Sequence, residues 1–155
     1  MFMIEARVNP ANATTLIVGF SPAAATAAQT LLRRGQSRRS MFVVTNGKAQ
    51  AAAAASLGLV SGTAGSFDAI GRHLGPALEK VIVDVEDDVV AGSVVRLARS
   101  GAPEAVILVR ACDPAAVARL MASGASQAFC DATIAGSLLA DTAAEPRRRT
   151  KVVLH

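Results

Sequence analysis

Short apolar runs alternate with longer, helically spaced stretches along most of the chain. Thr15–Val18, Met41–Val44, Leu59–Ser61, Val81–Val85, Ala105–Val109 and Ala128–Cys130 read as strands, and their lack of polar alternation fits strands buried on both faces. Between them Pro22–Arg34, Lys48–Leu57, Phe67–Leu74, Asp88–Ser100, Pro114–Ser123 and Thr133–Asp141 read as helices. Gly35, Gly58, Gly101 and Gly124 fall at expected helix ends, where a left-handed residue stops a helix. Ser21-Pro22 and Asp113-Pro114 read as N-caps followed by proline in the first turn. The Ala49–Ala55 run reads as a helix with a small packing face, because alanine is the best helix former.

Strand–helix alternation of this kind predicts a parallel sheet covered by helices. The fold class expected is α/β: a Rossmann-like, doubly wound, six-stranded parallel sheet with helices on both faces and strand order 3-2-1-4-5-6. Residues 1–14 are expected to be an N-terminal extension, 15–141 the domain and 142–155 a basic C-terminal tail.

Composition narrows the function classes. Hydrophobic residues make up 52% of the 155 residues but aromatics only 3%, without Trp or Tyr, so the core is aliphatic. A stacking platform for nucleic acid needs exposed aromatics, so no nucleic-acid partner is expected. The net charge is +4, gathered in two clusters: Arg33, Arg34, Arg38 and Arg39, and Arg147, Arg148, Arg149 and Lys151. The first belongs at the N-terminal edge of the sheet, where a solvated basic rim is the ordinary explanation. Cys112 and Cys130 suggest a reducing compartment without a disulfide framework. No apolar stretch reaches the roughly 18–20 residues that span a bilayer, and no secretory signal is visible in Met1–Ala13. A cytoplasmic location is expected.

The site should lie outside the C-terminal strand ends, where the strand order reverses. Leu16-Ile17-Val18-Gly19-Phe20-Ser21-Pro22-Ala23-Ala24 has the position of a dinucleotide phosphate loop, which uses glycine at three spacings. Only Gly19 is retained; Ser21 and Ala24 hold the second and third places. The helix behind Ser21 still offers free N–H groups to an anion, although Pro22 removes one donor. At the end of the second strand, where an acid would accept ribose hydroxyls, stands Asn46, followed by Gly47 and Lys48. Asn46-Gly47 also reads simply as a turn. Gly19, Phe20, Ser21, Ala24, Asn46, Lys48, Gly62 and Thr63 are therefore the candidate cofactor-binding residues, in a crevice that is either a weakened nucleotide site or an empty or repurposed one.

The chain resembles the N-terminal lobe of RCK domains, the TrkA-N family of potassium channel and transporter regulators, from about Thr15 to Leu139. The likeness rests on Leu57-Gly58, Ser61-Gly62-Thr63-Ala64, Val81-Ile82-Val83-Asp84-Val85-Glu86-Asp87-Asp88, Leu97-Ala98-Arg99, Val109-Arg110 and Gly124-Ala125. It departs at the second and third loop glycines, the ribose acid (Asn46), the aspartate of a Gly-Asp-Ala turn (Thr63) and an asparagine early in the fourth helix. The resemblance implies a cytoplasmic regulatory or assembly domain of a potassium channel or transport system. It would form a homodimer or higher, gating-ring-like oligomer and meet a membrane subunit, or be part of a longer membrane protein at the inner membrane. NAD, NADH or an adenine nucleotide is the implied cofactor, with none certain.

Other chemistry is thinly supported. Glu86, Asp87 and Asp88 could suggest a cation site, but adjacent side chains do not converge, and a helix cap is the simpler reading. Asp84 is not a phosphoacceptor, since the acidic pair and lysine that chemistry needs are missing from Gly19-Phe20 and Ala111-Cys112. Cys112 and Cys130 could form a redox pair or be two ordinary thiols. His73 has no visible catalytic partner and reads as solvated or capping. No catalytic or metal-binding residue is assigned. The alternative to a regulatory domain is a small NAD(P)-binding oxidoreductase-like protein.

Overall fold

β1 (Thr15–Val18) runs through the middle of a six-stranded, all-parallel sheet in the order β3-β2-β1-β4-β5-β6. The computed structural model describes residues 13–63 and 70–145. The other strands are β2 (Met41–Thr45), β3 (Val60–Thr63), β4 (Lys80–Val83), β5 (Val106–Ala111) and β6 (Gln127–Cys130). The helices are α1 (Pro22–Arg33), α2 (Lys48–Ser56), α3 (Asp88–Gly101), α4 (Val117–Ala122) and α5 (Asp131–Ala144). The expected fold class and strand order are those observed. Residues 1–12 of the expected extension, the start of the helix expected over Phe67–Leu74 and the Arg147–Lys151 cluster lie outside the described residues.

The period-two alternation of a strand divides the core. Leu16, Val18, Phe42, Val44, Val81, Val83, Ile107 and Val109 face α3 and α4, meeting Ala91, Val94, Val95, Ala98 and Leu120. Ile17, Met41 and Val43 face the other way, with Phe20, Ala24, Ala28, Ala54 and Leu59 from the α1–α2 side. Burying each large aliphatic side chain contributes about 2 kcal/mol, so the two layers fix β1 as the centre of the sheet. The alanine run forms α2, whose one fully buried residue is Ala54.

Cover is unequal. On the α1–α2 face, the outer half of the sheet leaves Val106 46% and Phe129 42% exposed. α5 buries none of its residues, and it displays Ile134, Leu138 and Leu139 to solvent. This helix runs three residues beyond Asp141, where the basic tail was expected to begin.

Two local expectations change. Gly35, Gly58 and Gly124 take the positive φ of a helix stop, but Gly101 does not and ends α3 from within. A Cβ at Gly101 would lie 2.7 Å from Leu74 Cβ, so close packing rather than left-handed backbone explains that glycine. The helix expected over Pro114–Ser123 begins as a 3-10 turn, Pro114–Ala116, capped by Asp113 through the Ala115 N–H at 2.9 Å.

Candidate functional site

A cleft of about 420 Å³ opens at the C-terminal ends of β1, β2 and β4. Val18, Val44, Ile70, Val85, Val90 and Val94 give it apolar walls, and Thr45, Asn46, Gln50, Ser21, Asp84 and Glu86 supply polar groups. It lies where the strand order reverses, the position at which open parallel sheets bind ligands.

The floor is set by contact between β1 and β4. The Asp84 N–H donates to the Val18 carbonyl at 2.8 Å, and the Gly19 N–H donates to the Val44 carbonyl at 2.8 Å, extending the ladder past the strand ends. Gly19 has φ +83°, and a Cβ there would lie 1.9 Å from the Asp84 carbonyl oxygen. Only glycine permits both the turn and that approach.

Asp84 is 3% exposed and takes up the donors at the start of α1. One carboxylate oxygen accepts from the Ser21 N–H at 3.1 Å, from the Ala24 N–H at 3.3 Å and from the Ser21 hydroxyl. The other accepts from Arg110 Nε, whose side chain is one-fifth exposed. Arg110 also lies 3.6 Å from the exposed Asp131 carboxylate. The hydrogen bond that Arg110 donates to Asp84 raises the guanidinium above its ordinary pKa, while burial opposes the shift. The free N–H groups expected behind Ser21 are therefore not free: a carboxylate from the neighbouring strand stands where an external anion would stand.

The sequence candidates fall into three groups. Gly19, Ser21 and Asn46 line the cleft together. Phe20 and Ala24, the latter on the buried side of α1, instead turn into the core. Lys48 is exposed at the first turn of α2, while Gly62 and Thr63 lie on β3, where the Gly62 carbonyl accepts from the Thr45 hydroxyl at 3.4 Å. None of these last three is among the cleft's lining residues. Gln50, which does line it, was not among the candidates; its amide oxygen accepts from the Asn46 N–H at 3.0 Å.

The acidic turn separates rather than converges. Asp87 caps α3, accepting from Val89 and Val90 N–H at 2.8 and 3.1 Å. Asp88 reaches the β5–α4 loop, accepting from the Cys112 and Asp113 N–H groups at 2.8 and 2.9 Å. Glu86 remains exposed at the cleft. Cys112 is exposed and Cys130 buried, both as free thiols. Desolvation and the nearby Asp88 charge push the Cys112 pKa up, which favours its protonated form. His73 is neither fully solvated nor a cap: its ring lies 4.6 Å from that of Phe42, and burial, aided by Arg72, lowers its pKa. In the basic rim, Arg38 Nε donates to the Leu57 carbonyl at 2.9 Å and so tethers the end of α2.

The missed residues are Asp84 and Arg110. Each is a lone charge in an apolar run, and the β4–β5 register that pairs Val83 with Val109 brings the two side by side. That opposed pair was a readable signal once the strands were taken as neighbours.

This geometry defines a Rossmann-like domain with an altered phosphate loop. No family model matches the chain, and no curated protein matches it in sequence. Among solved structures it is similar to the TrkA-N domain of the inner membrane protein YbaL from Escherichia coli, with TM-score 0.73 and 17% identity over 85% of this chain and 96% of that one. The NAD(P)-binding domain of an exopolyphosphatase-related protein from Archaeoglobus fulgidus aligns with TM-score 0.70 and 16% identity, over 84% of this chain and 97% of that one. The GsuK RCK domain aligns with TM-score 0.69 and 18% identity, over 84% of this chain but 28% of that one. The fold is that of the TrkA-N and RCK N-lobe domains.

Proposed function

We propose that this chain is a cytoplasmic regulatory and assembly domain of a potassium channel or potassium transport system, with an altered nucleotide loop and no catalytic role. The observation that carries the assembly reading is the uncovered end of the sheet. Val106, Phe129, Ile134, Leu138 and Leu139 are exposed there, and no residue of α5 is fully buried. An apolar helix of this kind gains stability by packing on a partner, and a second copy is the partner the reading requires. The potassium assignment is supported by the fold shared with the RCK domain of the GsuK channel. GsuK has been solved bound to NAD and bound to ADP, which supports a ligand role for a domain of this fold. Residues 15–141 would form the working unit, and Gly19, Ser21 and Asn46 are the sequence candidates best placed to meet a ligand.

Two measurements test this. In sedimentation at micromolar concentrations the chain should be at least a dimer, and Leu138→Glu with Leu139→Glu should shift it to monomer; a wild-type monomer throughout would count against assembly. Rubidium uptake by the native host should change when the gene is deleted and be restored by the wild-type chain but not by the monomeric variant. Unchanged uptake would remove the potassium assignment.

A further inference from the structure

The donors that a helix N-terminus offers to an anion are already engaged inside this protein. Ser21 N–H, Ala24 N–H and the Ser21 hydroxyl all serve Asp84, and Arg110 completes the carboxylate from its other side. The acceptor is buried, and it comes from a different strand rather than from solvent. We propose that Asp84 is an internal ligand in the place of a phosphate, so that the cleft takes a nucleoside-sized, phosphate-free ligand and turns nucleotides and dinucleotides away. This rests on the cleft being the domain's ligand site, and not on the potassium partner.

Charge and lining agree. No basic side chain is among the described residues that line the cleft, whereas Asp84 and Glu86 both are. Arg110 approaches from β5 and is committed to Asp84. An entering phosphate would meet like charge and find the first-turn donors taken. A heterocycle bearing hydroxyls meets no such barrier. Val18, Val44 and Val90 offer it apolar contact, and the amides of Asn46 and Gln50 lie at the end of β2, where this fold meets ribose hydroxyls. A volume of about 420 Å³ is in the range of small-ligand pockets.

The test is calorimetric titration of the full chain with adenosine, ADP and NAD. It is repeated on Asp84→Ala and on the double variant Asp84→Ala with Arg110→Met, which leaves no buried charge unpaired, Asp131 being exposed. Wild type should bind adenosine at least about tenfold more tightly than ADP or NAD. In Asp84→Ala the freed donors and Arg110 should raise ADP affinity by about tenfold or more, enough to overtake adenosine. The double variant should gain ADP affinity in the same direction but by less. Wild type binding ADP or NAD as tightly as adenosine, or not binding adenosine, would overturn the proposal. So would variants that are folded by circular dichroism yet bind ADP no better than wild type. If Asp84→Ala does not fold, the double variant decides. Sedimentation and rubidium uptake read the assembly and transport proposals separately, so failure here leaves those standing.

Discussion

The N-termini of α1 and α3 solve one problem by two routes. Each helix begins with N–H groups that have no partner within the helix. α3 is served by its own N-cap: Asp87 accepts from Val89 and Val90, two and three residues along. α1 has a cap in Ser21, whose hydroxyl oxygen accepts from the Ala23 N–H at 3.2 Å, but its remaining first-turn donors go to Asp84, the residue that follows β4. The local solution satisfies those donors within the helix's own turn, although Asp88 beside the cap also holds the loop after β5. The distant one ties α1 to β4 and, through Arg110, to β5, so one carboxylate joins three elements.

The largest effect should come from breaking the strand contact that brings Asp84 to α1. Gly19→Ala puts a methyl group 1.9 Å from a backbone oxygen at a positive φ, and neither strand can move without disturbing the central ladder. A loss of more than about 3 kcal/mol is expected in urea unfolding. A soluble variant unfolding near the wild-type midpoint would show that β1 and β4 meet differently. Gly47→Ala is the control: its φ is also positive, but no atom lies within 4 Å of the added Cβ, so it should cost less.

Asp84→Ala comes next. It leaves Arg110 without its main partner and uncovers the α1 donors, at an expected cost of about 3 kcal/mol. Adding Arg110→Met should recover part of that loss, because the stranded charge is then gone. No recovery would mean that the donors of α1, rather than the ion pair, dominate the cost.

What could be read from the sequence follows the same division. Caps, helix ends and buried runs are local patterns, so Asp87, Gly35 and the six strands were legible, and the strand–helix alternation then pointed to the sheet order. Gly19 was legible as a turn, but not as the point where a carbonyl 65 positions later comes close enough to exclude a Cβ. Asp84 was noticed as an acid in an apolar run, but local spacing does not reach its partners 63 positions back and 26 ahead; only the β4–β5 pairing made Arg110 readable beside it. Phe20 and Ala24 sit in the phosphate-loop motif but face the core, Phe20 from the turn after Gly19 and Ala24 from the buried side of α1. A motif names positions in a loop; which side chains face the ligand depends on the helix that follows.

Asp87→Ala should cost about 1 kcal/mol, the usual value of a lost helix cap, and should leave adenosine binding unchanged, since Asp87 does not line the cleft. A change in ligand affinity as large as that of Asp84→Ala would erase the distinction between the two helix ends.

The smallest effect is also the most discriminating. In a double-mutant cycle, Ser21→Ala and Asp84→Ala remove two ends of one hydrogen bond, so their costs should fall short of additive by about 0.5 kcal/mol or more. Asp87→Ala and Asp84→Ala share no hydrogen-bond partner among the described residues and should add to within about 0.3 kcal/mol. Ser21 complicates the first cycle because its oxygen also caps the Ala23 N–H, a loss common to both backgrounds that cancels in the difference. Coupling therefore reports the Ser21–Asp84 contact itself. Equal coupling in the two cycles would mean that the acidic turn from Asp84 to Asp87 moves as one unit, and that α1 is held by the loop as a whole rather than by a single buried carboxylate.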